Sequence, residues 1–169
     1  MDQQGRCAMI TRRSVLAGAV LVAAGAGAYL VWGRGGFEEL AAAPVYATEG
    51  VALGGTDPVG YFTEGRPVAG QAAHSFDWNG AAWHFASAEN RDAFAADPAR
   101  YAPQYGGFCA WAVAEKGKLY STQAENWAIV EGKLYLNFND DIQGKWQADV
   151  PGFIARGDER WPEVLKGEG

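Results

Sequence analysis

Cysteine and histidine are both scarce here, two of each among 169 residues. With so few imidazoles, options for acid–base chemistry are few, and no Ser-His-Asp spacing, His-Glu-x-x-His motif or carboxylate pair stands out. Walker and dinucleotide-type glycine patterns are also missing, so the 23 glycines read as turn residues rather than a phosphate cradle. There is no internal repeat. Cys7 precedes a long apolar run, which leaves Cys109 alone in the remainder and excludes a disulfide within it by counting. Positive charge is in deficit: the net charge is −6 even with the basic N-terminus included. An acidic surface of this kind argues against nucleic acid as a partner. It does not by itself indicate a cationic ligand, because acidic surfaces are ordinary for solubility.

The N-terminus holds the strongest address signal. Thr11-Arg12-Arg13 is followed by Ser14-Val15-Leu16 and by small and apolar residues as far as Trp32. A basic region before an apolar one is an export signal. The Arg12-Arg13 pair gives it the twin-arginine form, which implies the Tat translocase as partner during export and a periplasmic destination. Val15 to Trp32 is 18 residues, the lower limit for crossing a bilayer core of about 30 Å at ~1.5 Å per residue. Retention as an N-terminal anchor therefore stands beside cleavage, at Ala26-Gly27-Ala28 or at Ala41-Ala42-Ala43. Either way the membrane is touched only through this segment. Residues 1–43 are assigned to signal or anchor plus linker, and residues 44–169 to one folded domain.

Within that domain, Asn79-Gly80 is the preferred pair for a two-residue hairpin turn. The predicted register sets Trp78 against Ala81, Phe76 against Trp83 and His74 against Phe85, with His74 and His84 on opposite faces. Ser87 caps a helix over Ala88–Ala96 that ends at Asp97-Pro98. A helix from about Phe108 is closed by Gly117. A second hairpin turns at Glu131-Gly132, Asp140 or Asp141 caps the next helix, and Pro151 starts another that reaches about Leu165. Trp146, Phe153 and Trp161 fall at helical separations as core residues, or as an exposed patch for a partner protein. The fold class is α+β: two β-hairpins or a small antiparallel sheet covered by short helices, preceded by a signal or anchor helix.

Thr56-Asp57-Pro58-Val59-Gly60-Tyr61-Phe62, then Trp83-His84-Phe85-Ala86-Ser87 through Phe94, then Asp97-Pro98-Ala99-Arg100-Tyr101 to Gly107, resemble the YHS domain. The resemblance extends over about residues 45 to 165, most strongly 56 to 114. In the metal-handling branch of that family, cysteines occupy places that fall here on Gly60, Ala86 and Asn90, so all three thiols are absent. What the resemblance implies is a binding module for a soft transition metal such as copper. The remaining donors would be Cys109, with His84 and Asp57 as co-ligands. A thiol in the first turn of a helix is inclined toward thiolate, which suits Cu(I) or redox chemistry. The residues themselves favour Cys109 as a small buried apolar residue, His84 as bonded to Ser75 or Asp77 across the hairpin, and Asp57 as closing the turn before Pro58. A metal-free interaction module is the alternative function; a thiol enzyme lacks a visible base.

Overall fold

The computed structural model describes residues 43–167. Arg12 and Arg13, Cys7, the apolar run and the cleavage candidates up to Ala42 lie outside the described residues. Asn79 and Gly80 both carry positive φ (52° and 79°), as a tight hairpin turn demands of its two central residues. They join β3 (Gln71–Trp78) to β4 (Ala81–Phe85), as numbered with β1 (Ala47–Thr48) and β2 (Val51–Ala52) before them. Trp78 stands opposite Ala81 and Phe76 opposite Trp83, as the turn chemistry predicts.

Farther along, the predicted register is corrected. Ser75 faces His84, the ladder then slips, and Gln71 rather than His74 lies opposite Phe85. The cause is competition for the start of β3. Ala69 bridges to Thr56 and the Gly70 N–H donates to the Gly55 carbonyl, so the strand entry is held by the 55–57 segment and its pairing with β4 shifts at a bulge between Gln71 and Ser75.

The four strands run in the order β1-β2-β4-β3. β2 and β4 pair in parallel through Val51 and Ala82, a crossover that no hairpin signal announces. The chain between them passes through a 3-10 turn at Leu53–Gly55 and the short α1 (Gly60–Thr63). β4 leads into α2 (Ala88–Ala96), whose cap is Ser87: its hydroxyl accepts from the Asn90 N–H at 3.2 Å. Asp97 ends that helix and caps α3 (Pro98–Tyr101).

Tyr105, Gly106 and Gly107 then take positive φ in succession (56°, 63° and 84°). The Gly106 carbonyl accepts from the Tyr46 N–H at 2.9 Å, and a Cβ on Gly106 would strike the Pro44 carbonyl. Only glycine admits so close a backbone. This turn delays α4, which runs Ala110–Lys116 and not from Phe108, with Cys109 in its cap position and left-handed Gly117 closing it. β5 (Trp127–Val130) and β6 (Lys133–Leu136) form a separate hairpin. α5 (Asp140–Gln147) is capped by Asn139, whose side chain accepts from the Ile142 N–H at 3.0 Å. Asp140 and Asp141, expected as caps, instead occupy the first turn, where the helix dipole favours carboxylates. α6 (Val150–Leu165) has Pro151 in its first turn. The class is α+β. Among the described residues no helix is long and apolar enough to cross a membrane.

Two cores result, and the β5–β6 hairpin stands between them. Leu134 and Leu136 join a cluster with Trp83, Phe85 and Phe94, while Tyr135 between them joins Tyr105, Val113 and Trp146. β5 divides the same way, Trp127 and Ile129 to the first core, Ala128 and Val130 to the second. Strand alternation normally separates core from water; here both faces are apolar because both are covered. Trp146 is buried and Phe153 and Trp161 pack on its cluster, so the core expectation for these three holds.

Phe94 centres the first core, its ring within 5.0–6.3 Å of the rings of Phe76, Trp78, Trp83 and Phe85. Phe94→Ala should cost about 3–5 kcal/mol in urea unfolding. The exposed Phe138→Ala should stay within about 0.5 kcal/mol of the parent.

Candidate functional site

The segment Asp57-Pro58-Val59 places a carboxylate where water does not reach: Asp57 is 0 % exposed. Burying such a group is costly unless each oxygen finds donors. One oxygen accepts from the Val59 N–H at 2.8 Å, closing the turn locally as Asp before Pro is expected to do. The other accepts from the Ala86 N–H at 2.9 Å and from the Asn90 side-chain amide at 2.7 Å. Asp57 also donates its own N–H to the Val68 carbonyl at 2.9 Å. The loop, the end of β4 and the first turn of α2 are thus pinned to one side chain.

Those contacts coincide with the positions to which the resemblance assigns thiols. Ala86 supplies a backbone donor, and Asn90 supplies an amide in place of sulfur. At Gly60 a Cβ would lie 2.8 Å from Val68 Cγ2 and 3.0 Å from Val68 Cβ, so a larger residue there requires Val68 to move. Carboxylate, amide and valine fill the space. A soft metal wants thiolate, thioether or imidazole donors, and this set does not fit one.

His84 lies elsewhere on the hairpin. It faces Ser75 across the strand pair and turns its ring toward Gly55, Nδ1 standing 3.8 Å from where a Cβ on that glycine would be. The hydrogen bond to Ser75 or Asp77 does not form. His74 sits in the bulged stretch, half-buried, within electrostatic reach of Glu89. The Glu89 carboxyl is held below its usual range first by its own backbone N–H, then by the Ser87 hydroxyl, with a smaller contribution from His74.

Cys109 is 1 % exposed. Burial pushes its thiol pKa up, and the backbone N–H groups of Ala112, Phe138 and Trp111 oppose that shift without reversing it. The expectation of a dipole-stabilised thiolate is therefore corrected: desolvation outweighs the short helix behind it. Its Sγ–H instead donates to Asn137 Oδ1 at 3.6 Å. Among the described residues no group of three or more His, Cys, Asp and Glu side chains is arranged to hold a metal ion. Cys109, His84 and Asp57 are thus not gathered as one set of ligands.

Asn137 is the residue that motif reading passes over. Fully buried, it accepts from the Trp111 N–H at 3.1 Å as well as from Cys109, and its amide donates to Gln143 Oε1 at 2.8 Å. Gln143 in turn donates to the Trp127 carbonyl at 3.0 Å. The network ties α4, α5 and the second hairpin together. The signal was present as a lone amide inside the apolar run Leu134-Tyr135-Leu136-Asn137-Phe138.

Residues 59–105 match the family model for the YHS domain. The match runs from the residue after Pro58 to the left-handed Tyr105, taking in β3, β4, α2 and α3 and leaving out Asp57 and Cys109. It is narrower than the stretch of about residues 45 to 165 over which the resemblance extends. No curated protein and no solved structure matches the chain.

The two Asp-Pro pairs offer a controlled comparison. Asp57→Ala strands three buried or half-buried donors and should lower stability by about 3 kcal/mol or more. Asp97→Ala removes one exposed cap bond and should cost about 1 kcal/mol. Urea unfolding followed by tryptophan fluorescence measures both.

Proposed function

We propose that this chain is an exported YHS-domain binding module that works without a metal at the positions of the family's thiols. The observation that carries this reading is the Asp57 carboxylate, whose oxygens are taken up by donors from Val59, Ala86 and Asn90, the last two being positions that the resemblance assigns to thiols. The chemistry of the donors supports it further, since no sulfur or imidazole accompanies that carboxylate. Residues in such a site hold the fold in place, and recognition is left to the surface. Export is supported by Arg12-Arg13 ahead of the apolar run. This would deliver the domain to the periplasm through the Tat translocase, with the N-terminus cleaved or kept as the sole membrane contact. The net charge of −6 favours protein or small-molecule partners over nucleic acid.

A second reading keeps a soft metal, copper in particular, on Cys109. One observation favours it: the buried thiol forms part of the wall of an open cleft of about 300 Å³ that also reaches Asn139 and Asp141. Metal binding there would need the thiolate, which burial disfavours.

Copper(I) titration of the full-length protein and of Cys109→Ser, under reducing conditions, separates the two readings. The metal-free reading expects no stoichiometric binding by either protein. One equivalent bound by the parent, lost in Cys109→Ser and weakening as pH drops, would transfer the assignment to the second reading. For export, Arg12→Lys/Arg13→Lys should leave precursor in the cytoplasm; unchanged delivery would mean a general secretory signal or an anchor.

A further inference from the structure

The large apolar side chains exposed among the described residues are Leu119, Tyr120, Phe138 and Leu165, and they are not scattered. Tyr120 and Phe138 line the cleft above Cys109, of about 300 Å³. Leu119 and Tyr120 line a second cleft of about 310 Å³, together with Val164, the neighbour of Leu165. Tyr120 is common to both. Single exposed apolar residues need no explanation, but a contiguous set along adjoining clefts marks an interaction surface. Two shallow, open clefts side by side suit a chain laid across them. A small molecule is usually enclosed over most of its surface.

The charges on this face select the partner. Lys116 and Lys145 place their ammonium groups over the Trp111 ring, at 5.7 and 5.8 Å from its centre. Lys145 borders the first cleft and Lys118 the second. All three lysines are exposed, and none has a carboxylate partner among the described residues, whose ion pairs involve Arg66, Arg91, Arg156 and Lys166. On the same face Asp141 borders the first cleft, and Glu115 is engaged by Arg156. A protein of net charge −6 thus shows a local excess of cations around its apolar clefts.

We propose that the Trp111–Tyr120–Phe138 face docks an extended segment of a partner protein, with apolar side chains in the two clefts and acidic residues beside them. The proposal rests on the binding-module reading and gives it a surface and a partner chemistry. Cys109 and Trp111 line the first cleft, and both are bonded to the buried Asn137, so the amide network supports its wall. The lysines attract the acidic segment and reject basic ones.

Random linear peptides displayed on phage, selected against the full-length protein, provide the test. Enriched sequences should share apolar residues flanked by Asp or Glu, and a synthetic copy should bind more weakly as salt is raised. Tyr120→Ala/Phe138→Ala should weaken that peptide by about tenfold or more. Lys118→Glu/Lys145→Glu, which leaves the apolar clefts intact, should weaken it independently and shift selection toward basic peptides. Thermal unfolding of each variant checks that the fold persists. Enrichment of basic or purely polar sequences, no enrichment at all, or equal binding by parent and both variants would overturn the proposal. So would a dimer of the parent in sedimentation that Tyr120→Ala/Phe138→Ala dissolves, because the occupant would then be a second copy. Repeating the selection with chelator and with copper(I) keeps the two readings apart. Capture that needs copper but is lost in the variants would remove the metal-free reading and leave the surface. Capture indifferent to copper and to all four substitutions would do the opposite.

Discussion

A carboxylate that no solvent reaches, satisfied by donors from its own turn, from the end of β4 and from α2, is the constraint around which the first half of the domain is arranged. Without it the turn after Asp57, the strand end at Ala86 and the start of α2 would each carry an unpaired polar group in a desolvated place. Asp97 shows what the same dipeptide does when exposed: it caps one short helix and connects nothing distant. The difference lies in what surrounds the oxygens. Val68 beside Gly60 completes the same arrangement from the apolar side. A cross-link made of hydrogen bonds requires neither metal nor oxidation to persist.

The second half depends on the first through the β5–β6 hairpin. Because successive side chains of β6 enter different cores, neither core closes without the other. Tyr105 reinforces the join from the opposite end. Its hydroxyl donates to Asp158 at 2.9 Å, and the ring lies so close to Gly157 that a Cβ there would come within 2.5 Å of the hydroxyl oxygen. Burial raises the pKa of Tyr105, and that of neighbouring Tyr135 is pushed up to about 12, so both hydroxyls remain neutral at physiological pH. Asn137 then carries this order outward, from the covered hairpin to the backbone of α4 beneath the apolar clefts.

Short-range features were legible because their causes are short-range. Asn79-Gly80 and Glu131-Gly132 turn their hairpins, Ser87 caps its helix and Gly117 ends another, since each depends on a few adjacent torsions and one side chain. Register near a turn was equally accessible; register farther off was not, because Ala69 and Gly70 answer to Gly55 and Thr56 rather than to β4. The state of Cys109 was open for a similar reason. Whether a thiol is activated depends on how much desolvation opposes nearby N–H groups, and that balance is a sum over the whole surroundings.

From its residues alone this protein reads as an α+β domain whose residues 59–105 are similar to the YHS domain, following a basic and then apolar N-terminal stretch. Composition, turn pairs and motif order carry that much, because they act over a few neighbouring residues. Tertiary structure alone decided what surrounds Gly60, Ala86 and Asn90, which buried polar side chains bond one another, and which aromatics reached the surface. Those outcomes rest on segments far apart in the chain, Asp57 with Asn90 and Cys109 with Asn137, and proximity of that kind has no local signature in a sequence.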